Sequence, residues 1–149
     1  MNQQADPRAY PDRPFLAVSA AIFREGRILI VRRARAMTHP VYTLPGGVVE
    51  TGETLHQAVC REVLEETGLV IEPGPLAGHR EFIQRDAHGR VLRHFVIMAF
   101  TAHWRAGQVV LNDELSEALW VMPAEVAGFQ TTEGLAEIVE TAATLVGEP

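Results

Sequence analysis

The sequence predicts an α/β sandwich built around a mixed sheet. Strand-like apolar runs dominate the first third and the middle of the chain, from Phe15 to Val31 and from His79 to Trp104. Two segments, near Thr54 to Thr67 and Glu133 to Leu145, carry helical periodicity instead. At 149 residues, 47% hydrophobic and 21% charged, the chain suits one domain with a substantial core. Strands interspersed with two main helices are satisfied by helices packed on a sheet.

Residues 1–14 hold Pro7, Pro11 and Pro14 among polar residues, so an extended arm is expected, mobile or laid on a partner subunit. The domain proper is expected over 15–149. Phe15 to Phe23 and Arg27 to Val31 read as a hairpin, joined at Arg24-Glu25-Gly26. Arg32 to Tyr42 reads as a basic loop. Leu44-Pro45-Gly46-Gly47 is a strong turn signal, and Val48-Val49 a short strand. Further on, His79 to Gln84 and Val91 to Trp104 flank a turn at Asp86-Ala87-His88-Gly89. The run Phe95 to Phe100 is apolar on both faces, which places it in the sheet centre. Val109 to Leu111 is expected as a short edge strand, and Leu119 to Met122 as a further strand closed by Pro123. Thr131 or Thr132 is expected to cap the last helix, whose stripe is Leu135, Ile138, Val139 and Ala142.

The first helix is the most informative element. Thr54 with Gln57 forms a capping box, and Gly68 suits the left-handed position after the last turn. On a helical wheel Val59, Cys60, Val63 and Leu64 are read as the buried arc, and Glu62, Glu65 and Glu66 as a separate acidic one. Like charges at such spacing repel by a few tenths of a kcal/mol per pair, roughly. A bound divalent cation compensates, since hard cations take carboxylate oxygens. A solvated acidic face has the same pattern.

Composition narrows the classes. The formal charge of −6 gives no general attraction to nucleic acid or anionic lipid. All 13 basic residues are arginine, which excludes a Schiff-base lysine and a GK[ST] phosphate loop. Cys60 is the single cysteine, so no intrachain disulfide forms, in keeping with a reducing compartment. The opening MNQQADPR lacks the apolar core of a signal peptide, and no run is long enough to span a bilayer. A cytoplasmic location is expected. The histidines show no H-E-x-x-H spacing, and neither Ser19 nor Ser116 lies in a G-x-S-x-G elbow.

The segment GVVETGETLHQAVCREVLEETGL, Gly47 to Leu69, resembles the Nudix box: G, five residues, E, seven residues, then R-E-U-x-E-E-x-G-U with U a bulky aliphatic. Gly47, Glu53, Arg61, Glu62, Val63, Glu65, Glu66, Gly68 and Leu69 fill every fixed position. The resemblance implies a Nudix-type α/β/α sandwich around a mixed, largely antiparallel sheet. It also implies hydrolysis of a nucleoside diphosphate linked to another moiety, with Mg²⁺ or Mn²⁺. Glu62, Glu65 and Glu66 are then the expected metal ligands, with the Gly46 carbonyl as a further one. Arg61, held by Glu53, is expected to brace the loop against the helix. The general base is expected to be Glu114, from a loop beyond the central strands, or Glu65. Arg33 and Arg35, before the box, are candidates to grip a phosphate, and Tyr42 to stack on a base.

An ADP-ribose-like compound is the leading substrate reading. A (deoxy)nucleoside triphosphate pyrophosphohydrolase of the sanitising type is the alternative, and a non-catalytic nucleotide-binding module is the alternative of another class. An isomerase or RNA-decapping role would ordinarily need extra segments. The expected partner is a small nucleotide, with no membrane and no stable nucleic-acid partner; a homodimer is suggested by analogy alone.

Overall fold

Along β1 (Phe15–Arg24) and β2 (Arg27–Arg33) the middle of each strand is buried on both faces. Successive side chains point to opposite faces of a strand. Accordingly Val18, Ala20, Ile22, Leu29 and Val31 enter one core, and Ala21, Phe23, Ile28 and Ile30 enter another. Such continuous apolar runs are what a strand covered by helices on both sides requires. The turn between them has positive φ at Glu25 (51°) and Gly26 (77°), the type I′ pattern that matches strand twist.

The computed structural model describes residues 6–34 and 41–147. Among the described residues the sheet has seven strands, with β3 (Tyr42–Thr43), β4 (Gly46–Val48), β5 (Val70–Arg85), β6 (Val91–Ala106) and β7 (Leu115–Val121) completing it. Its order is β3-β2-β1-β6-β5, with β4 also paired to β1 and β7 to β2. Among the named strand pairs of the described residues only β1 and β6 run parallel, from Phe15 beside Phe95 to Phe23 beside His103. The sheet is therefore mixed and largely antiparallel. Helix α1 (Leu55–Thr67) covers the first core through Ala58, Val59 and Val63. Helix α2 (Leu135–Val146) covers the second through Leu135, Ile138, Val139 and Ala142.

Three local expectations are corrected. Val109 to Leu111 forms no strand. Its neighbourhood closes the end of α1 instead: Val110 N–H donates to the Thr67 carbonyl (2.8 Å) and Asn112 N–H to that of Glu66 (3.2 Å). Terminal helix carbonyls lack intrahelical donors, and this segment supplies them. Neither Thr131 nor Thr132 caps α2, which starts after Gly134 with no side-chain cap. The Thr132 hydroxyl instead accepts from Arg80 (2.8 Å) and meets the Thr43 hydroxyl (3.2 Å). The hairpin of β5 and β6 is longer than expected, because β5 begins at Val70 and absorbs Pro73 to Gly78 through register shifts.

Residues 6–14 lie against this same hairpin. Tyr10 N–H donates to the Leu92 carbonyl and its hydroxyl to Asp86, both at 2.9 Å, while Asp6 pairs with Arg93 at 2.8 Å.

Candidate active site

Helix α1 starts where its sequence says it should. The Thr54 hydroxyl accepts from Gln57 N–H (3.1 Å) and the Gln57 side chain accepts from Thr54 N–H (2.9 Å). Gly68, at φ 77°, ends it. The helix is rotated relative to the expected arcs, however. Glu66 is fully buried, whereas Leu64 is 53% exposed. The wheel explains this: Glu66 follows Val59 by seven residues, so the two lie about 20° apart, and the carboxylate points the way the valine does. Glu62 and Glu66 thus enter the seam between α1 and β4, and Glu65 alone of the three is broadly open, at 56% of its side chain.

Two glycines make that seam narrow. A methyl group on Gly46 would overlap the Val18 carbonyl of β1, and its backbone bonds through the β1–β4 register. A methyl group on Gly47 would overlap the Glu62 carboxylate, so the missing side chain is the space that Glu62 occupies.

Arg61 gathers the acidic groups. Its Nε and Nη2 donate to the two oxygens of Glu53 (2.7 and 2.8 Å), the fork geometry that suits a carboxylate. Nη2 also reaches the Val48 carbonyl (3.1 Å), which ties helix to strand β4. Its Nη1 donates to Glu62 (2.9 Å) and Glu65 (3.3 Å) together. Glu66 has a different partner set. One oxygen accepts from Gly46 N–H (2.8 Å) and the other from Arg33 Nη1 (2.8 Å), while Arg33 Nη2 donates to the Gly46 carbonyl (3.3 Å).

The electrostatics follow from these contacts. Arg61 holds the Glu53 carboxyl down to about 2 from an ordinary 4.5. Burial pushes Glu62 and Glu66 up; Arg61 opposes it at Glu62, and Arg33 with the Gly46 amide opposes it at Glu66. Glu62 also feels the like charges of Glu65 and Glu114. Crowded carboxylates of this kind mark functional sites more often than chance.

The donor set fits a hard divalent cation by its chemistry: carboxylate and carbonyl oxygens, with no sulfur or imidazole. Two of the carboxylates already converge on one cationic nitrogen, Arg61 Nη1. Among the described residues no three acidic, histidine or cysteine side chains close on one point. The reason is visible in the pairing, since Glu66 turns to Arg33 while Glu62 and Glu65 turn to Arg61.

The other expected residues are placed as follows. Arg33 contacts Glu66 and Gly46 rather than standing free in a loop, because β2 extends through it. Arg35 lies outside the described residues. Tyr42 is half-buried at the second core, its ring edge against Phe129 (5.3 Å between centroids), with burial and Glu117 pushing its hydroxyl pKa up. Glu114 is exposed in the turn before β7, and its carbonyl accepts from Ala34 N–H (2.8 Å), beside Arg33. The Arg33–Glu66 pair escaped sequence reading, since no spacing rule links residues on a strand and a helix this far apart.

A family model for the NUDIX domain matches residues 13–142. The chain belongs to the NUDIX family. It is 34% identical over 105 residues to an ADP-ribose pyrophosphatase of Methanocaldococcus jannaschii, covering 70% of this chain and 60% of that protein. It is 32% identical over 138 residues to the NAD-capped RNA hydrolase NudC of Photobacterium profundum, covering 92% of this chain and 48% of that protein. The chain thus spans only about half the length of these curated relatives. Among solved structures, a MutT protein of Methanosarcina mazei superposes with a TM-score of 0.73 at 28% identity, covering 93% of this NUDIX chain and 99% of that one. A MutT NUDIX hydrolase of Burkholderia pseudomallei gives 0.71 at 29%, covering 87% and 98%. Members of the family generally use divalent metal ions. Among the described residues of this NUDIX protein, no helix is long and apolar enough to cross a membrane.

Proposed function

We propose that this NUDIX protein hydrolyses the pyrophosphate bond of a nucleoside diphosphate derivative, ADP-ribose-like in class, with Mg²⁺ or Mn²⁺. One observation carries the reading: Glu62 and Glu66 enter the α1–β4 seam beside the Gly46 carbonyl, the open Glu65 shares Arg61 Nη1 with Glu62, and two guanidinium groups lie among them. Those three carboxylates and that carbonyl would hold the cation. When bound, such an ion neutralises the diphosphate, polarises the phosphorus centre and lowers the pKa of a water.

The chain's own residues do the rest. Glu53 holds Arg61, and Arg61 keeps Glu62 and Glu65 side by side; this positions ligands without touching substrate. Glu114, exposed near Glu62, accepts the proton of the attacking water at its carboxylate. Glu65 is the rival for that role, being the open carboxylate of the three. Arg33 is the guanidinium nearest the seam for a substrate phosphate. The printed name of the Methanocaldococcus relative supports the ADP-ribose class. The second reading is a nucleoside triphosphate pyrophosphohydrolase, which would use the same carboxylates and the same cation on another phosphoric anhydride.

Product analysis separates the two. AMP plus ribose phosphate from ADP-ribose supports the first, and NMP plus pyrophosphate from a triphosphate supports the second. The screen is run with Mg²⁺ and Mn²⁺ beside Glu66→Gln, for which a loss of at least about a hundredfold is expected of a ligand to a catalytic metal. A variant that cuts as fast as the parent removes Glu66 from the ligand set, and no cleavage of any nucleotide by the parent leaves the binding-module reading.

A further inference from the structure

Glu66 is a carboxylate with no exposed surface, and its charged partner is Arg33 at 2.8 Å. The same guanidinium reaches the Gly46 carbonyl at 3.3 Å, and the Gly46 amide closes the triangle by donating to Glu66 at 2.8 Å. One side of this arrangement is rigid: Gly46 sits in a β-ladder against β1, where no side chain fits. The other side is not, since the Arg33 side chain is 40% exposed and sits at the end of β2. Arg33 therefore occupies the two oxygen donors that the proposed metal site also needs, and it alone has an open path away from them.

We propose that Arg33 is an exchangeable counter-ion: it neutralises Glu66 in the metal-free protein and is displaced when a divalent cation takes Glu66 and the Gly46 carbonyl. This rests on the metal-site reading above. An ionised buried carboxylate cannot be left without a positive partner at low cost, so while Glu66 is ionised either the guanidinium or the ion stands beside it. Coupling of this kind is reciprocal. An anion that draws Arg33 outward weakens its hold on Glu66 and favours the cation, so a phosphate group and the ion assist one another through one side chain.

The test is Mn²⁺ binding, followed by the electron-spin signal of free Mn²⁺ without substrate, for the parent, Arg33→Gln, Arg33→Lys and Glu66→Gln. Removing a charge-assisted competitor should tighten Mn²⁺ binding about tenfold in Arg33→Gln, with Arg33→Lys between it and the parent. Thermal melting adds a second readout: Arg33→Gln should melt below the parent in chelator and recover most of the difference in Mn²⁺. Unchanged or weaker Mn²⁺ binding by Arg33→Gln, with binding lost in Glu66→Gln, overturns the exchange and leaves the metal site standing. Parent-like binding by Glu66→Gln overturns the site itself. Should Arg33→Gln fail to fold in chelator, Arg33→Lys decides: tighter binding than the parent supports the exchange, and equal or weaker binding overturns it.

Discussion

Two neighbouring glycines should fail in opposite ways when each is replaced by alanine. At Gly46 the added methyl group meets fixed backbone: the Val18 carbonyl, with Ser19 Cα at 2.7 Å. Relief requires β1 and β4 to part, which breaks ladder bonds in the middle of the sheet. Forcing a methyl into a closed space costs about 1–3 kcal/mol, and a backbone obstacle belongs at the upper end. In a chain of this size each kcal/mol lowers Tm by roughly 2–4 °C, so Gly46→Ala should lose about 6–12 °C. At Gly47 the methyl group meets only the end of a side chain, with Glu62 Oε1 at 2.6 Å. That carboxylate can swing aside, so the stability cost should stay within about 1 kcal/mol. The swing takes Glu62 off Arg61 Nη1, and losing a partner that orients a ligand costs about 10–100-fold in metal affinity. Thermal melting in chelator and Mn²⁺ titration of both variants measure the contrast. A Gly46→Ala protein that melts with the parent, or a Gly47→Ala protein that binds Mn²⁺ as the parent does, would refute the steric account.

Three further outcomes are expected. Glu53 carries a pKa lowered to about 2 from 4.5, so its pairing with Arg61 stabilises the fold above pH 4.5 and that contribution fades as pH falls toward 2; the Tm gap between the parent and Glu53→Gln should therefore be full at pH 6 and shrink on acidification, and a gap that widens in acid contradicts it. Thr54→Ala removes half of the capping box and should cost about 1 kcal/mol in a denaturant melt, with Thr54→Ser nearly neutral. Leu135→Ala, at a side chain 1% exposed, should cost about 2–5 kcal/mol, whereas Leu64→Ala on the open side of α1 should fall within about 0.5 kcal/mol; equal effects would place α1 in the wrong rotation.

The parts legible in the sequence are those set by neighbours along the chain. The Thr54–Gln57 box, the Gly68 stop and the α2 stripe are local, and each stands in the structure where the residues place it. Alternation explains the two-faced strands β1 and β2 for the same reason. What eluded reading depends on pairs distant in sequence. The wheel assigned Leu64 to the core and Glu66 to the surface because polarity decided the arcs, while the packing of α1 on the sheet followed Ala58, Val59 and Val63. The Gly46 amide and Arg33 make the burial of Glu66 tolerable, and neither carries a sequence signal toward it. Val109 to Leu111 has strand-like residues but spends its neighbouring amides on the end of α1.

The parallel ladder between β1 and β6 has a consequence for biosynthesis. Because the two strands run the same way, no turn can zip them together, and β1 must wait for most of the chain before its long partner exists. Until then a strand with apolar side chains on both faces has a bare edge in the nascent polypeptide. Fragments ending before Val91 should accordingly aggregate on release from the ribosome, and those ending after Ala106 should be markedly easier to keep in solution.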